Sequence, residues 1–213
     1  MDNVRFHKLG WIVAAGLAGI ILGGGFRQGG DAKMAVVDLA KVVETSNFGQ
    51  DNQKTFNKMK DDREGILEFI DTYRVLTVEQ ASKLRELSLK PNITPAEKAE
   101  LDRIKADVIA ADKRNKEIIQ KTNLTPEERT LMEENARRSQ TMEITAQRWL
   151  REFTSDMQGW ADKQKMASIE RARQAIQEVG RTGGYSIIFE IGVAPYGAND
   201  VSDAALKAMN ARK

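Results

Sequence analysis

The chain has 213 residues, with 33 Lys and Arg against 31 Asp and Glu, no Cys and a single His. The near balance of charge argues against a nucleic-acid-binding protein, because it produces no strong positive field. With no Cys there is no disulfide framework and none of the Cys patterns that are typical of zinc sites. Lys, Glu, Arg, Ala, Gln and Asp dominate the middle of the chain, a composition that favours long solvated helices over a thick globular core.

Residues 1–32 contain an export signal or membrane anchor followed by a Gly-rich linker. Arg5 and Lys8 precede an apolar run over residues 9–26. A secretory signal has an apolar core of about 7–15 residues, whereas a spanning helix needs about 17–25, and this run lies between those lengths. Cleavage at the end of the linker would leave Lys33 near the mature start. Both alternatives predict that the rest of the chain is exported.

Residues 49–180 are predicted to form two helical arms that run out and back. The first arm extends from Gln53 to Tyr73, and residues 33–48 precede it. The second arm is one helix from Thr125 to Val179, where the following Gly is a natural terminator. Because helices joined by short loops pack antiparallel, we expect a helical hairpin.

The far end of the hairpin, over residues 76–125, is predicted to be jointed. Thr77, Thr94 and Thr125 are predicted helix N-caps. The last two are each followed by Pro at the first helical position and by Glu three residues on, which completes a capping box. These motifs indicate helix starts and carry no functional prediction.

An apolar seam of the narrow coiled-coil type follows Thr94. Its members recur at alternating intervals of three and four residues: Leu101, Ile104, Val108, Ala111, Asn115 and Ile118. The single polar Asn within such a seam favours one register over the alternatives.

Aromatic side chains recur on one face of the second arm. Trp149, Phe153 and Trp160 share a helical face, and Met157 lies on the same stretch. One interpretation is packing against the partner arm or a neighbouring subunit. The other is an exposed apolar surface that holds an apolar ligand.

No pattern in the chain predicts catalysis, a cofactor or a metal site. His7 is the only His, and adjacent acids such as Asp61 and Asp62 point in different directions on a helix. There is no metal-ligand spacing, nucleophile elbow or phosphate-binding loop. The basic residues between Arg103 and Lys121 form a modest local excess with a few interspersed acids, which favours a solvated helix tip over a nucleic-acid-binding patch. We therefore predict that the protein is not an enzyme.

A small β body is predicted from two distant segments. Every second residue from Tyr185 to Val193 is apolar, so these side chains lie on one face, as a half-buried strand requires. Residues 33–39 form a second β-rich run, and the arms bring the two runs together. Asp200 is the predicted cap of a final helix, with Asp203 in its first turn, within residues 181–213. Because so small a sheet is marginal alone, several copies are predicted to associate through these strands. The body residues are Val36, Ile187, Phe189 and Ile191.

Three features together resemble the Skp (OmpH-like) family of periplasmic chaperones. They are KMAVVD at residues 33–38, the charged helical hairpin, and YSIIFEIGVAPYGANDVSDAALKAM at residues 185–209. The resemblance implies a homotrimer with a small β-barrel body and helical tentacles around a cavity, in which unfolded outer-membrane proteins are held without ATP. It implies no catalytic residues. The arms here are nearly neutral, and the segment from Thr77 to Thr94 interrupts the arm; both features depart from the family pattern.

The predicted fold is α+β and mostly α, with long antiparallel coiled-coil arms on the small β body. The predicted function is that of a periplasmic ATP-independent holdase for outer membrane protein assembly, either free after signal cleavage or tethered to the inner membrane through residues 9–26. Its client-binding residues are predicted to be Trp149, Phe153, Met157 and Trp160. The alternative is a membrane-tethered coiled-coil scaffold of the envelope that holds no client.

Overall fold

A computed structural model describes residues 33–212, so the apolar run at residues 9–26 and the export segment lie outside the described residues. The chain is mostly helical with one small sheet, as predicted. Its elements in chain order are β1 (Met34–Val37), α1 (Leu39–Thr45), α2 (Asn47–Thr72), α3 (Val78–Leu89), α4 (Pro95–Ile119), α5 (Pro126–Gly183), β2 (Ile187–Glu190) and α6 (Ser202–Ala211).

The chain divides into two compact units. The terminal unit combines the described residues up to 55 with those from 160 onward, and the central unit comprises residues 56–159. The helices α2 and α5 each contribute residues to both units. At about 1.5 Å per residue, the 58 residues of α5 extend for roughly 87 Å.

The two predicted β segments pair in one parallel sheet in the terminal unit. Ala35 lies opposite Ile188, and both side chains enter the core. The other edge of β1 bonds to the segment before α6, because the Val36 N–H donates to the Asn199 carbonyl at 2.8 Å and the Val201 N–H donates to the Val36 carbonyl at 2.9 Å. The strand β2 is shorter than predicted, since the Val193 N–H already donates to the Glu190 carbonyl in a turn.

The start of α6 is fixed by side-chain bonds to the segment after β1. The Asp200 carboxylate accepts the Ser202 N–H at 2.8 Å, and the Ser202 hydroxyl oxygen accepts the Asp38 N–H at 2.8 Å. Asp203 lies in the first turn, as predicted, and pairs with Lys41 at 2.8 Å. The N-cap residue is Val201, not Asp200 as predicted. Asp200, one position before the N-cap, nevertheless accepts the hydrogen bond from the first N–H of the helix.

The prediction that α5 ends at Val179 is wrong, because the helix continues to Gly183. The terminating residue is Gly184, whose φ of +68° lies in the left-handed region that glycine adopts without strain. Gly180 has a packing role instead: a Cβ at this position would lie 3.3 Å from the Ile188 Cδ1.

All three predicted N-caps of the central unit are confirmed. The Thr94 hydroxyl accepts the Glu97 N–H while the Glu97 carboxylate accepts the Thr94 N–H at 2.9 Å. Thr125 makes the same reciprocal bonds with Glu128, at 3.1 and 3.2 Å. The helix α3 also begins in a capping box, formed by Thr77 with a Gln. The Lys90 ammonium, together with the cap N–H, lowers the pKa of Glu97 to about 2.

The seam along α4 is confirmed except at one position. Val108 and Ile118 are buried, but Ala111 is exposed and the neighbouring Asp112 is buried in its place. The Asp112 carboxylate lies 2.7 Å from the Lys116 ammonium, which compensates its charge. A helix face does not follow a strict 3-4 alternation when several helices share a core, and this accounts for the difference.

The core of the central unit draws on four helices and the segment after α2. Its fully buried members are Ile66, Ile70, Val75, Leu76, Ala81, Leu84, Val108, Met142, Trp149 and Phe153. The polar Asn115 of the seam has a buried partner, since the Asn135 Nδ2 donates to the Asn115 Oδ1 at 3.0 Å.

This Asn pair yields a test of the register argument. Asn135→Ala should lower the free energy of unfolding by about 1–3 kcal/mol, because it leaves the Asn115 amide without its partner. The double variant Asn115→Leu/Asn135→Leu should recover most of that loss, since both polar groups are removed together. Urea denaturation measures both effects, and a double variant no more stable than Asn135→Ala would contradict a coupled pair.

Candidate functional site

The structure places three of the four predicted client-binding residues in the central unit, where they are covered. Trp149 is 3% exposed, Phe153 0% and Met157 2%. Trp160 is partly buried and belongs to the terminal unit. The first two form a tilted ring pair with centroids 6.3 Å apart. Packing within the chain therefore accounts for this aromatic pair, and its client-binding role stays a prediction.

Two arginines cover the aromatic pair. The Arg85 guanidinium carbon lies 5.1 Å from the centroid of the Trp149 ring and 5.0 Å from that of Phe153. Arg63 lies 5.5 Å from the Phe153 centroid. A guanidinium within about 6 Å of a ring face is attracted by the ring quadrupole, so both contacts stabilise the closed packing.

The two arginines differ in how their polar atoms are satisfied. Arg85 donates to the Glu152 carboxylate at 2.7 Å, and this ion pair is partly exposed. Arg63 donates to the Met59 carbonyl at 3.1 Å, but its buried Nε has no hydrogen-bond partner in the described part of the chain. Burial lowers the pKa of Arg63, the Arg85 charge lowers it further, and Asp156 opposes both effects.

Exposed apolar side chains of the central unit form a second set that the sequence analysis did not assign to a function. They are Val78, Ile109, Ile119 and Ile144. Ile119 is 60% exposed and Ile144 is 63% exposed. For two of them the sequence did indicate exposure, because Ile109 and Ile119 fall outside the apolar seam of α4. An apolar residue off the buried face of an amphipathic helix is available to bind another molecule.

The predicted oligomer residues lie in or beside the sheet of the terminal unit. Val36 is buried, and a Cβ at Gly197 would lie 2.5 Å from its Cγ1, so the final loop packs directly on it. Ile187, Phe189 and Ile191 are partly exposed, whereas Ile188 on the opposite face is in the core. Within residues 33–212, no strand pairs with the outer edge of β2.

No group of three His, Cys, Asp or Glu side chains in residues 33–212 is arranged to hold a metal ion. No helix among these residues combines the length and the apolar character that crossing a membrane requires.

The model of the family described as outer membrane protein (OmpH-like) matches residues 33–209. No curated protein and no solved structure matches the chain at a significant level. The matched range contains both strands and nearly all of α6, as well as the helices between them. The family consists of periplasmic chaperones, not of enzymes. The chain belongs to the OmpH-like, or Skp, family of outer-membrane-protein chaperones.

Proposed function

We propose that this protein is an ATP-independent holdase that binds unfolded outer-membrane proteins in the periplasm and prevents their aggregation. The observation that carries the proposal is the family match over residues 33–209, which includes the sheet and the long helices alike. A holdase needs no reacting groups, only a surface that competes with client–client contacts.

The order of contacts in the central unit supports an antiparallel hairpin of α2 and α5. Arg63 of α2 contacts Phe153 of α5, and Arg74, just after α2, lies 3.9 Å from Glu143 of α5. The partner number falls as the number along α2 rises, which is the order expected of helices that run in opposite directions. The proposal therefore includes coiled-coil arms over residues 49–180.

The exposed side of the sheet supports association of several copies, as in a homotrimer. A two-stranded sheet is marginal in water on its own. Here Ile187, Phe189 and Ile191 keep part of their apolar surface open beside the unpaired edge of β2. A neighbouring copy that pairs with this edge would satisfy the backbone groups and cover the side chains.

Client binding is proposed to use many weak apolar contacts along the arms. The exposed side chains Ile109, Ile119 and Ile144 are accessible in the packing described here. Trp149, Phe153, Met157 and Trp160 would add stronger contacts wherever the packing opens. Numerous shallow contacts suit unrelated client sequences, because no single contact fixes the partner.

The apolar run at residues 9–26 bears on whether the holdase is free or tethered to the inner membrane. Cleavage after the run gives a free periplasmic protein, and retention gives a tethered one. A tethered protein would also fit the alternative function, an envelope scaffold that binds no client. Tethering therefore does not distinguish the two functions, whereas a measurement of client binding does.

Client binding is tested by diluting a urea-denatured outer-membrane β-barrel protein into buffer and measuring light scattering. The exported protein, at three chains per client, should suppress scattering with or without ATP. Ile119→Ser/Ile144→Ser should weaken suppression severalfold, because each change removes about 1 kcal/mol of apolar contact. The matched control is Gln120→Ser/Gln140→Ser, which changes an exposed polar residue at the C-cap of α4 and another on α5. Unsuppressed scattering with the unaltered protein would favour the scaffold.

The oligomer interface is tested with Phe189→Asp. A carboxylate at the contact between copies costs several kcal/mol when it is buried without a partner, so the assembly should dissociate to single chains. Light-scattering mass in solution measures the outcome, and circular dichroism verifies the helical content. Ile119→Asp, an equally drastic change at an exposed site of the central unit, should leave the mass unaltered. If Phe189→Asp keeps the full oligomer mass, β2 is not in the interface.

A further inference from the structure

The helix α3 is a short element bounded by two non-helical segments. It comprises 12 residues, Val78–Leu89, between residues 73–77 and residues 90–94. An isolated helix of this length is marginal in water, so α3 depends on what it packs against. It can therefore move as a unit when that packing is replaced, with the flanking segments absorbing the change.

The helix α3 packs on α4 and shares one buried cluster with the aromatic pair of α5. Ala81 and Leu84 of α3 belong to the same buried cluster as Trp149 and Phe153. Arg85 stacks on both rings and closes the contact through its 2.7 Å ion pair with Glu152. This pair is partly exposed, and exposed ion pairs contribute little to stability.

The closed packing also leaves one buried donor of the described chain unpaired, although Asp156 and Asp62 favour the Arg63 charge. Arg63 contacts Phe153 and keeps a buried Nε that finds no partner among the described residues, close to the like charge of Arg85. Displacement of α3 would take the Arg85 charge away and open a path for water to Arg63. That gain offsets part of the cost of uncovering the aromatic rings.

We propose that α3 is a displaceable cover over Trp149 and Phe153, fastened by Arg85, and that an apolar client segment replaces α3 on these rings. The exchange conserves burial, because client side chains take the places of Ala81 and Leu84. The inference rests on the proposed holdase function and adds a closed and an open state to its binding surface.

Access to Trp149 is measured first, without any client. The chain has three Trp residues, so Trp11→Phe/Trp160→Phe leaves Trp149 as the only tryptophan, which is excited selectively at wavelengths that Tyr does not absorb. In this background Arg85→Ala should raise the acrylamide quenching constant severalfold, with unchanged helical circular dichroism. The matched control is Lys83→Ala, which breaks an exposed Lys83–Glu86 pair on the same helix. Equal quenching in all three proteins would overturn the role of Arg85.

Movement of α3 during client binding is tested by fastening it covalently. The chain has no Cys, so Arg85→Cys/Glu152→Cys introduces the only two thiols, at positions whose native side chains touch. A bis-methanethiosulfonate cross-linker joins them and a reductant releases them. Cross-linked protein should lose most of its suppression of β-barrel aggregation and regain it after reduction, whereas each single-Cys variant treated in the same way should keep it.

The outcomes separate the cover from the underlying function. Suppression that is lost on cross-linking and restored by reduction supports the cover. Full suppression by the cross-linked protein overturns it and leaves the holdase function in place. Absence of suppression in every form, including the unaltered protein, overturns the holdase function and the cover with it.

Discussion

The pairing of β1 with β2 is the constraint on which the rest of the structure depends. It joins two segments that are far apart in the sequence. Beside the sheet, for example, the Lys33 ammonium donates to the Gly183 carbonyl at 2.9 Å, although the two residues are 150 positions apart. Closing so long a loop is entropically unfavourable, and the buried core around Ala35, Ile188 and α6 must offset that cost.

Local signals in the sequence sufficed for the helix starts and the strand segments. A capping box is a contact between residues three positions apart, so Thr94 with Glu97 and Thr125 with Glu128 are readable without any knowledge of the fold. The alternation around Phe189 also indicated a strand, but within the chain the buried side chain is Ile188 on the opposite face, and Phe189 is partly exposed. The family resemblance on residues 33–38 and 185–209 was confirmed by the match over residues 33–209.

Features set by tertiary packing were beyond the sequence. The burial of Asp112 in place of Ala111 depends on how α4 faces its neighbours, and a Lys one turn away compensates it. The approach of Ile188 to Gly180 gives that glycine a packing role, and α5 continues past it to Gly183. Trp149 and Phe153 have the sequence pattern of an apolar face, but only the fold reveals that α3 and two arginines cover that face.

The aromatic pair thus serves the stability of the central unit in the packing described here. Replacing a fully buried Phe by Ala typically costs about 3–5 kcal/mol, so substitutions at Phe153 would confuse a loss of folding with a loss of binding. The proposed client binding is therefore better tested at exposed side chains such as Ile144, and at the partly exposed Arg85, than at Phe153.

Native mass spectrometry of the protein, expressed with its own N-terminus and mixed with an unfolded outer-membrane β-barrel protein, tests the central claim most directly. The account predicts one particle that contains three chains and a client, and the chain mass reports whether residues 1–32 are retained. Single chains, or trimers that leave the client unbound, would contradict it.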